Sequence, residues 1–506
     1  MKSGFGGEQG WGVRWWEAGG DSSRWPFIAA ASVFAACALV AYGMVFADWA
    51  FLPFAMVLVG LVHLPSGIYL LLAAAMIFEQ FQIFGIEMPL TAQVPIYLNL
   101  NLTSGIGALV VNPIELLLVA MIVGWAIRAA SSREWHFRPI PHWEVAALFL
   151  GMLLLYTAYG LARGGDVRVA LWEIRALYYL CGVFFLATQV IRTERQVQIC
   201  LWIAIIGTTI KGLQGCSRFF IDLRGSIVGV QAITGHEDAL FIAVALMFLA
   251  ALLCLGAWQR LEFWVLTCAT PALFLTFILT QRRVAYGVLG LNLVLLFLLL
   301  PFRRKLFSLR FVLPLLPVLV LYTGIFWNSH STLALPIRQV RSIFVIGVGE
   351  DTSNVYRRIE NFNLEQTIRQ SPLGTGFGKK YLVLFPLPYV DFPLWDYIPH
   401  NCIYWIWAKT GFPGFLVFWL FFGVYTIQAI IDYRHETDPF YKAVCVTVAT
   451  FIIGQMVVAY YDLQITFYRN MIYLGVAMAI PVAIRNRPSL TETEKETPAE
   501  TPADAA

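Results

Sequence analysis

The sequence predicts an all-α, polytopic integral membrane protein with about fourteen transmembrane helices, and no fewer than about twelve. Three observations lead there. The chain is 59% hydrophobic and 13% charged over 506 residues, with a mean hydropathy of +0.70, whereas water-soluble domains carry about a quarter charged residues. Apolar runs of ~20 residues recur throughout, where a β-barrel would show ~10-residue alternating segments. Lys and Arg in the short connections fall in the pattern expected of alternating sides, with the cytoplasmic side positive.

Taken in order, the runs begin near Trp25, Trp49, Ser66, Ala108, Glu144, Val169, Val197, His236, Glu262, Val284, Phe311, Phe412, Phe440 and Thr466, each bounded by charge, Pro or Gly. The second and third could also form one hairpin dipping into the membrane. With the N-terminus inside, the cytoplasmic connections collect Arg128, Arg133 and Arg138, then Arg192 and Arg195, Arg260, Arg303 to Lys305 with Arg310, Arg434, and Arg485 with Arg487. The chain then divides into a cytoplasmic N-terminal segment (1–24), a helix bundle (25–327), one large external loop (328–399), C-terminal transmembrane helices (400–484) and a disordered cytoplasmic tail (485–506) rich in Thr, Glu and Pro. Within the loop, Val355, Ile359, Phe362, Leu364 and Ile368 are spaced for an amphipathic helix over Asn354 to Gln370, stopped by Ser371-Pro372. The polar, Gly- and Trp-rich start reads as no removable signal peptide. The eight Cys lie mostly singly in apolar runs and form no Cys-x-x-Cys pair, so they read as small buried hydrophobes. No basic, aromatic-interleaved patch points to nucleic acid, and no internal repeat is visible.

Ionisable groups inside membrane spans are costly and point to function by default. On this topology Glu79, Glu115, Glu173, Arg175, Lys211 and Arg469 fall in the outer halves of their helices, and Arg218, Arg224, Arg282, Arg283, Arg357, Arg358 and His400 lie just outside. That is the face on which the positive-inside rule expects few cations. A guanidinium donates two parallel hydrogen bonds to phosphate and stays charged at any working pH, so the asymmetry indicates an outward polar cavity for an anionic ligand. For any one Arg, pairing with a nearby carboxylate is an equal candidate: Arg175 with Glu173 or Glu115.

His236-Glu237-Asp238 has the composition of a metal cluster, but adjacent residues point to different sides of a helix, and an acidic helix N-terminus fits better. Gly374-Thr-Gly-Phe-Gly378 lacks the strand-loop-helix setting of a phosphate loop and reads as a turn with close backbone packing. His400 remains, at the mouth of a membrane helix. An ordinary imidazole titrates near ~6.5 and can take a proton from a hydroxyl at neutral pH, with Asn401 to orient or cap it; alternatively it is a His satisfied at a helix start.

Asn354-Val-Tyr-Arg-Arg358, Pro372-Leu-Gly-Thr-Gly-Phe-Gly378, Pro399-His400-Asn401 and Gly411-Phe-Pro-Gly414, read together, resemble the O-antigen ligase and O-antigen polymerase family of bacterial membrane glycosyltransferases. The resemblance covers roughly Leu279 to Leu420, and more loosely Leu171-Trp-Glu-Ile-Arg175 and the loop of Arg224. It implies a lipid-sugar glycosyltransferase (GT-C-like) architecture with one large periplasmic loop in the bacterial inner (cytoplasmic) membrane, with both termini cytoplasmic and the active site facing the periplasm. It also implies transfer of a glycan from an undecaprenyl-pyrophosphate-linked donor to a glycan or lipid-glycan acceptor, with no metal and no cofactor. Residue by residue, it implies His400 as the base accompanied by Asn401, and Arg283, or its neighbour Arg282, as pyrophosphate ligand. Arg224, or its competitor Arg218, and Arg175 are further donor contacts, with Lys211 and Arg358 as additional candidates. The chain departs from the family at His236-Glu-Asp238, where members often carry Asn-Pro-Asn, and at Arg282-Arg283, where they carry Ser-Arg. From a different class, a secondary transporter or lipid-linked glycan flippase would also use many spans and buried charges, but it predicts polar residues across both membrane halves.

Overall fold

The computed structural model describes residues 51–81, 90–104, 110–131, 137–227, 230, 232–329, 331, 334–344, 352–388 and 392–486. The chain separates into two units, Met1–Phe51 and Leu52–Ala506. The expected N-terminal segment, the span from Trp25 and the tail beyond Asn486 lie outside the described residues. The helices and the site belong to the second unit.

Its regular structure is helical, with no strand among the described residues. The helices are α1 (Phe51–Val62), α2 (Leu64–Ile77), α3 (Pro113–Ser131), α4 (Trp143–Ala162), α5 (Val167–Val190), α6 (Glu194–Ser217), α7 (His236–Leu255), α8 (Leu261–Leu279), α9 (Arg283–Leu299), α10 (Phe302–Phe326), α11 (Leu335–Phe344), α12 (Thr352–Gln370), α13 (Cys402–His435), α14 (Pro439–Tyr461) and α15 (Tyr468–Arg485). Sequence sets several starts. Thr193 and Gln196 form a reciprocal capping box on α6; Asp166 accepts the Arg168 and Val169 N–H groups of α5; Asp438 caps α14, with Pro439 in its first turn.

Eight of these helices are long and apolar enough to cross a membrane, and a ninth is obtained if the two parts of α10 count as one span. Those parts, Phe302–Arg310 and Leu313–Phe326, are bent by 46°. Pro314 and Pro317 account for the bend, since each removes an N–H from the helical ladder. The runs expected at Trp49 and Ser66 become α1 and α2, of 12 and 14 residues. At ~1.5 Å per residue neither reaches across ~30 Å of hydrocarbon.

The core is built on α7, α14 and α15, apolar on all sides and therefore enclosed by other helices. Between membrane helices, small residues permit the close packing that holds a bundle together. A Cβ on Gly475 of α15 would lie 3.2 Å from the Leu180 carbonyl of α5, and Thr276 of α8 donates to the Gly212 carbonyl of α6 at 2.7 Å.

The expected helix in the large loop is present as α12, ending before Ser371-Pro372. The Gly-rich segment after it runs against backbone. Gly376 has φ +82°, and a Cβ there would lie 2.3 Å from the Gly160 Cα of α4. Phe377 N–H donates to the Tyr156 carbonyl at 3.1 Å, and Gly376 N–H to that of Lys409 at 2.9 Å. Across this turn α13 is broken at Gly411 (φ 62°), where a Cβ would meet the Leu373 carbonyl carbon at 2.4 Å. The turn is therefore a backbone splice between α4 and α13.

Candidate functional site

Charged side chains from many helices meet at one end of the bundle. Glu79, just past α2, pairs with Lys211 of α6 at 2.9 Å and with Arg218, in the π-turn after α6, at 3.1 Å. Asp238 of α7 pairs with Arg469 of α15 at 2.6 Å, and Glu115 of α3 with Arg175 of α5 at 2.8 Å. The loops carrying His400 and Arg282 join helix ends on this same side.

His400 immediately precedes the cap of α13. Its imidazole Nδ1 lies 3.2 Å from Glu360 Oε1, and its backbone N–H donates to Glu360 Oε2 at 3.0 Å. Glu360 belongs to α12, which packs on α13 through Leu364, Tyr381 and Ala408. Its side chain is 1% exposed while that of His400 is 31% exposed, so the carboxylate is an interior anchor and the ring faces outward. The Tyr356 ring stands edge-to-face against the imidazole at 5.3 Å. An ionised carboxylate only accepts, so Nδ1 carries the proton and Nε2 is left as the basic nitrogen. Asn401 is the N-cap: it accepts the Tyr404 N–H at 3.1 Å and donates to Asn361 at 3.1 Å.

A second imidazole lies nearby. His236 Nδ1 is 3.3 Å from Asp462 Oδ2, and its Nε2 is in contact with Arg282 Nη2. A guanidinium can only donate, so this Nε2 is an acceptor and the ring is the neutral Nδ1–H tautomer. Burial acts to raise the Asp462 carboxyl, but the hydrogen bond from His236, joined by the charge of the Arg282 guanidinium and the hydrogen bond from Gln464, outweighs it and holds the group below its ordinary range. Arg282 follows Gln281, whose φ of 56° is left-handed in a non-Gly residue; that turn, tied by a 3.0 Å bond from Gln281 to the Val230 carbonyl, ends α8 and delivers Arg282 to His236. Arg282 is also within electrostatic reach of the Asp462 and Glu237 carboxylates, which attract it, and, more weakly, of Arg357 of α12, which repels it. Both guanidinium groups bury an Nε–H that has no acceptor among the described residues. The Cys402 side chain lies within electrostatic reach of both Asp462 and Glu360.

The other cations anticipated at the site are arranged differently. Arg175 is buried and engaged by Glu115, by Asn99 at 3.0 Å and by the Val110 carbonyl at 3.1 Å. Lys211 and Arg218 are buried on Glu79. Arg283 is half-buried in the first turn of α9, and Arg358 is exposed on α12. Arg224 is exposed, with φ 49°, in the loop after α6. Of the charged groups expected inside spans, Glu173 is fully buried on Lys409 at 2.6 Å and also accepts the Trp405 ring N–H and the Gly378 N–H.

Sequence reasoning misses Glu360, Asp462 and the part played by His236, and it puts Arg357 on the right face without a partner. Glu360 lies 40 residues before His400, and with Glu365 on the same helix no local pattern singles it out. His236 invites comparison with metal ligands alone, and a carboxylate 226 residues away gives no local signal. The acidic first turn expected of α7 is present, with Asp238 accepting the Gly235 N–H at 3.0 Å.

Fold and site together define a multi-pass helical membrane protein with a carboxylate-held imidazole beside two arginines at one end of its bundle. A family model described as O-antigen ligase matches residues 268–419, the stretch from α8 into α13 that carries Arg282, Arg357, Glu360 and His400. That stretch matches the O-antigen ligase domain, which supports the resemblance drawn from the motifs and the reading of an O-antigen ligase-type membrane enzyme in polysaccharide biosynthesis. No curated protein matches the chain.

Proposed function

We propose that the protein is a glycosyltransferase of cell-surface polysaccharide biosynthesis, of the ligase or polymerase type, that moves a glycan from an undecaprenyl-pyrophosphate-linked donor to an acceptor hydroxyl. The observation that carries this is two unlike groups at the same end of the bundle: His400, held by Glu360 with Nε2 as its basic nitrogen, and Arg282 with Arg357, two guanidiniums that each bury an Nε–H without an acceptor among the described residues. Like charges held together with spare donors are what a dianionic group would stabilise. In the proposed step the acceptor oxygen attacks the anomeric carbon and its proton passes to His400 Nε2. The bond from that carbon to the pyrophosphate oxygen breaks, and the lipid pyrophosphate leaves with the electron pair between the arginines. A single attack opposite the leaving group inverts the anomeric centre. His236 is not the base, because its Nε2 lone pair is already committed to Arg282.

On this proposal the spanning helices lie in the inner membrane in a GT-C-like arrangement, with the site facing the periplasm and both termini in the cytoplasm. Arg283, Arg224 and Arg358 are assigned to the rim of the donor surface. Arg175, Lys211 and Arg218 brace the helices beneath it, and Asn401 sets the start of α13. The guanidiniums supply the positive charge, so transfer is expected to persist with a chelator present. Purified protein in nanodiscs, given a lipid-pyrophosphate glycan and an acceptor, should form a covalently lengthened product without nucleotide. Counterflow of substrate in proteoliposomes without any covalent product would identify a transporter instead.

A further inference from the structure

Arg282 is oriented by something other than the partner the proposed chemistry gives it. Its Nη2 donates to His236 Nε2, the opposite nitrogen of that ring faces Asp462, and its own Nε–H is buried without an acceptor among the described residues. Asp462 is itself fixed: Oδ2 accepts Gln464 at 3.2 Å and Oδ1 accepts the Leu463 N–H at 2.9 Å. Gln464 also donates to the His236 carbonyl at 3.4 Å, tying the 462–466 turn to the start of α7. The chain Asp462–His236–Arg282 thus has one compatible arrangement of protons, carboxylate to Nδ1–H and Nε2 to guanidinium. It anchors one arm of the guanidinium, and the Nε–H is left without an acceptor among the described residues.

We infer that His236 and Asp462 are positioning residues that aim Arg282 at the anionic group of the donor. This rests on the proposed role of Arg282 and assigns the two residues no contact with reacting atoms. Without a fixed acceptor on Nη2, a long side chain beside the like-charged Arg357 would turn away, since repulsion favours any rotamer that separates the pair. A neutral ring with a carboxylate behind it holds the charge in place without cancelling it as direct pairing to a carboxylate would. That is the difference from Arg175, Arg218 and Arg469, each held directly by acidic side chains.

The test uses the full chain in nanodiscs, with inorganic pyrophosphate as the probe, its affinity read by calorimetry and by inhibition of glycan transfer. His236→Leu removes the acceptor, whereas His236→Gln can still donate to Asp462 and accept from Arg282. The expected result is a roughly tenfold loss of pyrophosphate affinity and a fall in donor kcat/KM of at least that size in His236→Leu, recovered to within about threefold in His236→Gln. Asp462→Asn, which keeps the shape and drops the charge, is expected to lose severalfold and covers the case in which His236→Leu does not fold. Wild-type affinity in both His236→Leu and Asp462→Asn overturns the inference, as does equal loss in the Leu and Gln variants. Arg282→Ala separates the two levels. If it binds pyrophosphate normally, the anion site itself is refuted; if it binds poorly while His236→Leu binds normally, only the positioning role fails.

Discussion

Glu360→Gln isolates the contribution of one charge to the proposed base. The substitution keeps the shape of the side chain and an oxygen to accept the His400 backbone N–H, and it removes the negative charge 3.2 Å from Nδ1. As His400 gains a proton in the transition state, attraction to a carboxylate at that distance is ~5 kcal/mol at an effective dielectric of ~20. The ring is 31% exposed, and solvent screening on that side leaves about half, roughly 2–3 kcal/mol. Each 1.36 kcal/mol is about tenfold in rate, so kcat should fall on the order of 10²-fold, with donor KM nearly unchanged because Glu360 does not touch the anion. The assay is steady-state transfer in nanodiscs, following the lengthened product, with thermal unfolding alongside to confirm that the variant folds. A folded Glu360→Gln protein with kcat within about threefold of wild type would refute the assignment of Glu360 as the group that orients and stabilises the base.

Three further outcomes are expected. Lys409→Met strands a carboxylate, fully buried at 0% exposure in its pair with Lys409, and should cost about 3–5 kcal/mol in denaturant unfolding, partly recovered by adding Glu173→Leu; a single-variant loss below ~1 kcal/mol contradicts the buried pair. Gly376→Ala places a Cβ 2.3 Å from the Gly160 Cα at φ +82°, so a loss of about 3 kcal/mol or more is expected, seen as low yield and early melting, and unaltered melting would contradict the splice between α4 and α13. The Asp462 carboxyl is held below its unfolded-chain value of ~3.9, so it contributes stability at pH above ~4 that disappears as pH falls through its folded-state value. Asp462→Asn should therefore melt earlier at neutral pH and show a flatter acid decline; an acid decline identical to wild type contradicts the pairing with His236 and Arg282.

Helical class, membrane habit and the face on which the charges gather are legible in the sequence because each follows from composition and period. His400 is legible from its loop, as is the helix over 354–370, which the alternation of apolar and charged residues dictates. The division of labour among the arginines is not. Arg175, Arg218 and Arg282 carry the same side chain at similar positions, and only the carboxylates folded against the first two, Glu115 and Glu79, separate them from the third. Those partners come from helices 60 to 139 residues away, a distance at which no local pattern records a contact. The number of spans is blurred for a related reason. Hydropathy cannot distinguish two short helices such as α1 and α2 from one long one, because the single-residue break at His63, followed by Pro65 in the first turn of α2, leaves the apolar character continuous.

The proposed chemistry turns on His400 Nε2 taking the acceptor's proton. The most direct test is glycan transfer by purified His400→Ala in nanodiscs, with a defined lipid-pyrophosphate donor, an acceptor and a chelator, while donor binding is measured on the same preparation. The predicted result is transfer reduced by at least about 10²-fold with donor affinity retained, since the arginines are untouched. Turnover near the wild-type rate in that variant would contradict the role of His400 as the base.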